Sequence, residues 1–369
     1  MLSKWDDYPI HQAPLPVTTP VGSDPGRYNR HWMAMHDTAL TTQVGFGLSV
    51  HPNRGIVDAS FSVSRGGRQH SVFGSAPLTI DYDMDAGPLH LDVVEPGRIL
   101  RVVVDAHDGI AADVTFTAVT KHIEDSRMRR DSGHTLVSER LRTVQFGEWS
   151  GWFEVEGDRV ECTRDEWWGF RDRSWGTRST GTVSEGRDSA HKSAIYFAWT
   201  LLRFDDECLL VAVNENAAGI SEARVAAALP FLADGEPTYG DEDGVVRSDR
   251  FDFDITYVPG TRRAAKVGLA IGPRGAIARE MSMEPKNEFL MQGLGYYHPK
   301  WKHGTDHGGL AVGSDSWNVA DADPTRIENV HAQMICRAVR SDGAVGLGLF
   351  EHVAIGPHLP TGLGDGTAS

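Results

Sequence analysis

The sequence predicts an all-β protein built as two β-barrel-like halves. Period-two alternation of apolar and polar residues recurs along the chain. Turn signals punctuate it regularly, and 40 glycines suit many turns and bulges. The 369 residues exceed one typical core and suit two.

Taken in order, residues 1–27 hold Pro9, Pro14, Pro16, Pro20 and Pro25 and read as an extended arm. Ile99 to Asp105 is a β-branched run, and Ile110 to Thr120 alternates Val114, Phe116 and Ala118 with Thr115 and Thr117. Between them, His107-Asp108-Gly109 marks a hairpin. Phe251 to Tyr257 sets aromatic and aliphatic residues on one face and Asp or Thr on the other. Pro259-Gly260 then turns the chain into Ala264 to Ile271. A last hairpin joins Val330–Val339 to Val345–Val353 through Asp342-Gly343. Helical signals are few. Ser221 to Leu232 reads as a short helix cut by Pro230, and Ser138 to Val144 as another. A polar Gly/Ser/Thr stretch at 178–192 marks a boundary between an N-terminal domain, 28–185, and a C-terminal one, 186–369.

Lys and Arg total 36 against 51 Asp and Glu, a net charge of -15. Such a surface repels phosphate backbones and anionic lipid heads, so nucleic acid is not the expected partner. No apolar run is long enough to span a membrane, and no apolar leader opens the chain, so a cytoplasmic protein is expected. Cys162, Cys208 and Cys336 form no C-x-x-C pair and no disulfide framework. G-x-S-x-G, P-loop and dinucleotide-binding templates are absent, and no cofactor is expected. A homodimer is compatible with the sequence.

Three segments can carry chemistry. Glu166 to Gly176 (EWWGFRDRSWG) packs three Trp, one Phe, two Arg and two acids among the densest aromatics of the chain. As a strand it sets Phe170, Asp172 and Ser174 on one face and Arg171, Arg173 and Trp175 on the other. Asp172 between two arginines is either a structural ion pair or a tuned acid, and the pairing of buried charges favours the ion pair. The second segment, Gly295 to His307, holds His298, His303 and His307 beside Tyr297 and Trp301. Its spacing matches no metal-ligand signature, so a ligand-lining loop is preferred to a metal site. The third group is Glu351 and His331 on the last hairpin, with His36 and Asp37 early in the chain. Glu351 shares a face with Leu347 and Leu349, which leaves it either buried and perturbed or paired at a rim.

Phe170-Arg171-Asp172-Arg173-Ser174-Trp175-Gly176 resembles the D-x-x-W-G signature of the carotenoid 1,2-hydratase and AttH-like family. The segments Ala194 to Leu202, Asp205-Asp206-Glu207 and Leu209 to Val211 resemble the aromatic strand, acidic turn and apolar strand that follow it there. Arg30 to Asp37 and Gly346 to His352 are similar to bacterial members as well. The resemblance implies two tandem lipocalin-like, calycin-type domains around an apolar cavity. Relatives include hydratases of carotenoid double bonds and pericyclase-type cyclases.

The expected function is a cofactor-independent hydratase, lyase or isomerase acting by general acid–base chemistry on an apolar terpenoid, polyketide or aromatic molecule. The alternatives are a non-catalytic carrier of such ligands and a metal-dependent enzyme using the His298–His307 loop. Catalysis is expected of Glu351, His298 and His303, with Asp172 in either role. Substrate contacts are expected from His36, Trp168, Trp175, Tyr196, Trp199, Tyr297 and Trp301.

Overall fold

A computed structural model describes residues 2–132, 135–178, 194–272 and 279–367. Two antiparallel sheets carry these residues, one of 13 strands and one of nine, and each curls into a half-barrel. The first runs in the order Ala311–Asn318, Arg68–Pro77, Ile56–Arg65, Thr42–His51, Arg27–Asp37, Trp167–Thr177, Thr135–Val155, Ile110–Ala118, Ile99–His107, Leu89–Glu95 and Asp85–Ala86, with Ile123–Ser132 and Asp158–Cys162 each paired to Thr135–Val155 off this path. The second runs Val246–Ser248, Ser221–Leu229, Cys208–Glu215, Ile195–Arg203, Val345–Ile355, Ala332–Arg340, Arg279–Leu290, Ala264–Ile271 and Phe251–Tyr257. The tandem lipocalin-like fold expected from the sequence is the fold observed. Among the described residues no helix is long and apolar enough to cross a membrane, which says nothing of spanning by strands. The expected boundary at 178–192 lies, from 179 onward, outside the described residues.

Three cores follow from strand alternation. Met33, Met35, Val44, Phe46, Phe116 and Trp149 pack inside the first sheet. Tyr196, Val211, Phe251, Val267, Met334 and Phe350 pack inside the second. Residues of opposite parity on the same strands form a third core shared by both sheets: Trp32, Val144 and Phe170 meet Trp199, Leu210 and Leu349. Central strands are therefore buried on both faces; Thr42–His51 has no exposed residue at all. The wet-and-dry alternation expected for Phe251–Tyr257 is present, because that strand sits at a sheet edge.

Local turn chemistry acts as expected. Asp108 and Gly109 take positive φ, 46° and 78°, and close the hairpin between Ile99–His107 and Ile110–Ala118. Both expected helices are strands. Ser221–Leu229 pairs with Cys208–Glu215, and its alanines divide between two cores, Ala226 and Ala228 facing the second and Ala227 the shared one. Burial on both faces outweighs the helix preference of alanine. Pro230 ends the strand instead. Residues 138–144 lie inside the long strand Thr135–Val155, bonded to neighbours on both sides.

The second half of the chain also clamps the first sheet. Ala311–Asn318 adds to its edge against Arg68–Pro77. The 3-10 turn Met291–Leu294 rests on the small polar face of Ser62 and Ser71. Gln69 bonds the Leu290 backbone through both its amide nitrogen, at 2.8 Å, and its carbonyl oxygen, at 2.6 Å. A Cβ on Gly293 would stand 2.2 Å from Gln69 Nε2, so only glycine fits there.

Candidate active site at the shared interface

Asp172 lies on the strand Trp167–Thr177, opposite Trp32 on one neighbour and Val144 on the other. Its side chain points into the shared core, while Arg171 and Arg173 point the other way. Arg171 donates to Gln145 Oε1 at 2.8 Å, and Arg173 donates to Asn29 Oδ1 at 3.2 Å and the Arg30 carbonyl at 3.3 Å. The expected pairing of Asp172 with Arg171 or Arg173 is therefore wrong: adjacent residues on a strand face opposite sides. Asp172 is buried, and its Oδ1 finds no partner among the described residues. Burial pushes its carboxyl up to about 6, against the pull of Arg142, Arg30 and Arg140.

Trp32, the cross-strand neighbour of Asp172, packs edge to face on Trp199 in the shared core, with ring centroids 5.3 Å apart. Arg142 is salt-bridged to Asp125 and lies 4.6 Å over the Trp199 ring. Arg30 is 1% exposed and occupies the space beside Gly47, where a Cβ would stand 2.3 Å from its guanidinium. Its Nη1 donates to Ser49 Oγ at 2.7 Å and lies 3.0 Å from His303 Nδ1.

Glu351 faces the same core through Leu349 and Val353. It accepts from His331 Nε2 at 2.7 Å and from Gln333, which in turn accepts from Gln43 across the two sheets at 2.9 Å. Burial alone would raise its carboxyl; His331, Gln333 and Arg142 outweigh that and hold it below the usual glutamate range. Glu351 is thus buried and also paired, combining the two alternatives left open by the sequence.

The remaining expected site residues divide. His303 reaches the interface, stacked edge to face on Tyr296 at 4.6 Å; burial and the Arg30 cation hold it well below the usual histidine range. His298 does not reach it. Its Nδ1 accepts from the backbone N–H groups of Lys300 and Trp301, at 3.1 and 2.9 Å, and its Nε2 lies 3.1 Å from Asp315. Both nitrogens are spent on holding a loop, so the imidazole is free neither for proton transfer nor for a metal. Among the described residues no group of three or more His, Cys, Asp or Glu is gathered to hold an ion.

Trp199 lies in the shared core, whereas Tyr196 faces the second core and stacks on His358 at 3.9 Å. Trp168 lies on the Asp172 face under the Arg203 guanidinium, 4.2 Å away. Trp175 is 38% exposed on the opposite face, beside Arg173 at 5.7 Å, so it lines nothing. Trp301 stacks flat on Phe73 at 5.7 Å and anchors the 298–307 loop. Tyr297 is half-buried next to that loop. His36 lies on the interface face, 5.9 Å from Phe170, with Nδ1 3.0 Å from the Asp37 carbonyl. Sequence reasoning missed Arg30, Trp32, Arg142, Arg178 and Tyr296; the alternation Tyr28-Arg30-Trp32-Ala34 was the available signal for the first two.

Two hollows flank this region. A narrow crevice is lined by Asp58, Phe73, Trp301, His303 and His307. A second lies among Met33, Phe46, Val102 and Trp149 and holds no acid or base.

The fold is similar to that of kievitone hydratase from Nectria haematococca, at 13% identity over 90% of this chain and 91% of that one, with a TM-score of 0.52. It is equally similar to an AttH-like protein from Nitrosomonas europaea, at 13% identity over 89% and 92%, with a TM-score of 0.52. Both have the tandem lipocalin-like architecture of the carotenoid hydratase and AttH-like family, the resemblance carried by the Asp172 motif. No curated protein matches the sequence. A family model described as a family of unknown function (DUF8625) matches residues 2–364.

Proposed function

Because the chain belongs to that family of unknown function, its activity has to come from its own site, and we propose that it is a cofactor-independent enzyme that adds water to, removes it from, or isomerises a carbon–carbon double bond, with Asp172 as the general acid. One observation carries this reading: a buried carboxyl with an unpartnered oxygen, pushed up to about 6, on the core face that Trp32 and Trp199 share. An acid that titrates near the working pH is matched to both giving and regaining a proton. The neighbour named as a hydratase supports the same class of chemistry on this fold.

In the hydration direction the Asp172 hydroxyl gives its proton to one alkene carbon. The cation left on the other carbon lies between the faces of Trp32 and Trp199, whose π clouds favour positive charge. Water adds to that carbon, and the surplus proton returns to the Asp172 carboxylate, so one water is gained and the acid is restored. Loss of a neighbouring C–H proton instead gives an isomer. The two tryptophans pack edge to face on each other, so the substrate has to part them.

The test is incubation with a panel of prenylated aromatic, terpenoid and polyketide alkenes, reading gain or loss of one water by mass spectrometry. Asp172→Asn is expected to stay folded and to slow turnover by about 10²–10⁴-fold. Full activity in Asp172→Asn refutes its role. Tryptophan quenching by these compounds with no turnover of any leaves a carrier as the better reading.

A further inference from the structure

The shared interface contains more hydrogen-bond donors than the protein uses. Tyr28 Oη, Arg30 Nε, Trp32 Nε1, Arg178 Nη2, Trp199 Nε1 and His303 Nε2 are buried without a partner among the described residues. The His303 tautomer follows from Arg30: a guanidinium N–H can only donate, so Nδ1 accepts and the ring proton sits on Nε2. Proteins rarely leave one such group unsatisfied, and here six converge on one region.

Two of the six belong to cations. Arg30 spends its other nitrogens on Ser49, His303 and the Leu294 carbonyl, all of them uncharged acceptors or a histidine held neutral. Arg178 lies 4.2 Å over Tyr28 and 6.0 Å over Tyr296, the ring that Arg30 covers from 5.3 Å. Neither guanidinium has a carboxylate within 4 Å among the described residues; Asp172 acts on Arg30 and Asp58 on Arg178 only at longer range, and the other side-chain bonds of Glu351 and Asp58 are made elsewhere. Glu351 is bound to His331 and Gln333; Asp58 lies 2.8 Å from His51 and accepts from the Gly304 N–H. A buried cation with no counter-charge in contact is costly, and water cannot supply the charge.

We propose that this interface takes an organic carboxylate, its two oxygens on Arg30 and Arg178 at the Tyr296 ring and its apolar skeleton along Trp32 toward Trp199. The proposal rests on the interface being the binding site but not on Asp172 turning substrate over. An anion seated beside Asp172 favours the protonated carboxyl, so binding brings a proton with it and arms the acid.

The probes are 2-naphthoate and its neutral isostere 2-naphthamide, measured by calorimetry and by tryptophan quenching. Naphthoate is expected to bind at least about tenfold more tightly, with a preference that shrinks as salt rises. Its binding at pH 7 should take up a proton, read from the dependence of the heat on buffer ionisation enthalpy. Arg178→Met should abolish the preference; Arg178→Lys, which keeps the charge without the fork, should retain part of it. Asp172→Asn should bind naphthoate without proton uptake. Equal or tighter binding of the amide, no naphthoate binding up to about 10 mM, or an undiminished preference in Arg178→Met overturns the proposal. A folded Asp172→Asn that keeps both this selectivity and full turnover removes only the general acid. Loss of the selectivity with Asp172-dependent turnover intact removes only the carboxylate.

Discussion

Replacing Asp172 by Asn should remove a stability penalty that grows with pH. In the unfolded chain the carboxyl titrates near 3.8, and in the folded protein at about 6. Between those values the folded state binds more protons than the unfolded one, so stability falls as pH rises through that window. The difference corresponds to about 3 kcal/mol above the window, of which about 2 kcal/mol accrues between pH 4.5 and 7.5. The group is buried, so solvent screening takes little from this figure. Asn carries no such charge. Its amide brings a packing and hydrogen-bonding cost of its own, but that cost is the same at both pH values and cancels in the comparison. The assay is urea unfolding of both proteins at pH 4.5 and 7.5. The variant should gain about 2 kcal/mol on the wild type between the two, ending near or above wild-type stability at the higher pH. A flat difference, or a variant about 3–5 kcal/mol less stable at pH 7.5, means that Arg30, Arg140 and Arg142 hold Asp172 ionised, and the general-acid role fails with it.

Glu351 behaves in the opposite sense. Its folded carboxyl titrates below the usual range, so its stabilisation is present above the unfolded value and lost as pH falls through the folded one. Glu351→Gln should cost about 1–3 kcal/mol at pH 7 and less at pH 4, by the same unfolding measurement; a variant as stable as wild type at pH 7 shows that the His331 contact contributes nothing. His298→Ala strips the acceptor from two backbone N–H groups and should cost about 1–3 kcal/mol. Turnover per folded molecule should hold, and a catalytic loss with an unchanged melting temperature returns His298 to the reacting groups.

Several parts of the fold were legible because their determinants are local. Phe251–Tyr257 shows its period directly, since one face meets solvent and composition has to record that. Asp108-Gly109 names its own turn through the positive φ that it has to adopt. The D-x-x-W-G motif around Asp172 pointed to the tandem lipocalin-like architecture. Ser221–Leu229 was not legible, because its alanines favour a helix until Cys208–Glu215 pairs beside them and two cores close on them. The face on which Asp172 lies was legible, from alternation alone; its partners were not.

The sequence by itself determined the strands that alternate against solvent, the turns that join them and the placing of Asp172 opposite its flanking arginines, because these follow from a two-residue repeat and from backbone stereochemistry. Only the tertiary structure decided that the outer faces of both sheets are buried against each other. When both faces of a strand are apolar, alternation no longer tells which neighbour each face will meet. Arg30, Trp32, Asp172, Trp199 and Glu351 are scattered across more than 300 residues of chain and meet only through that packing. The same packing withdraws water from Asp172, and the loss of water, which no local pattern encodes, sets its proton affinity.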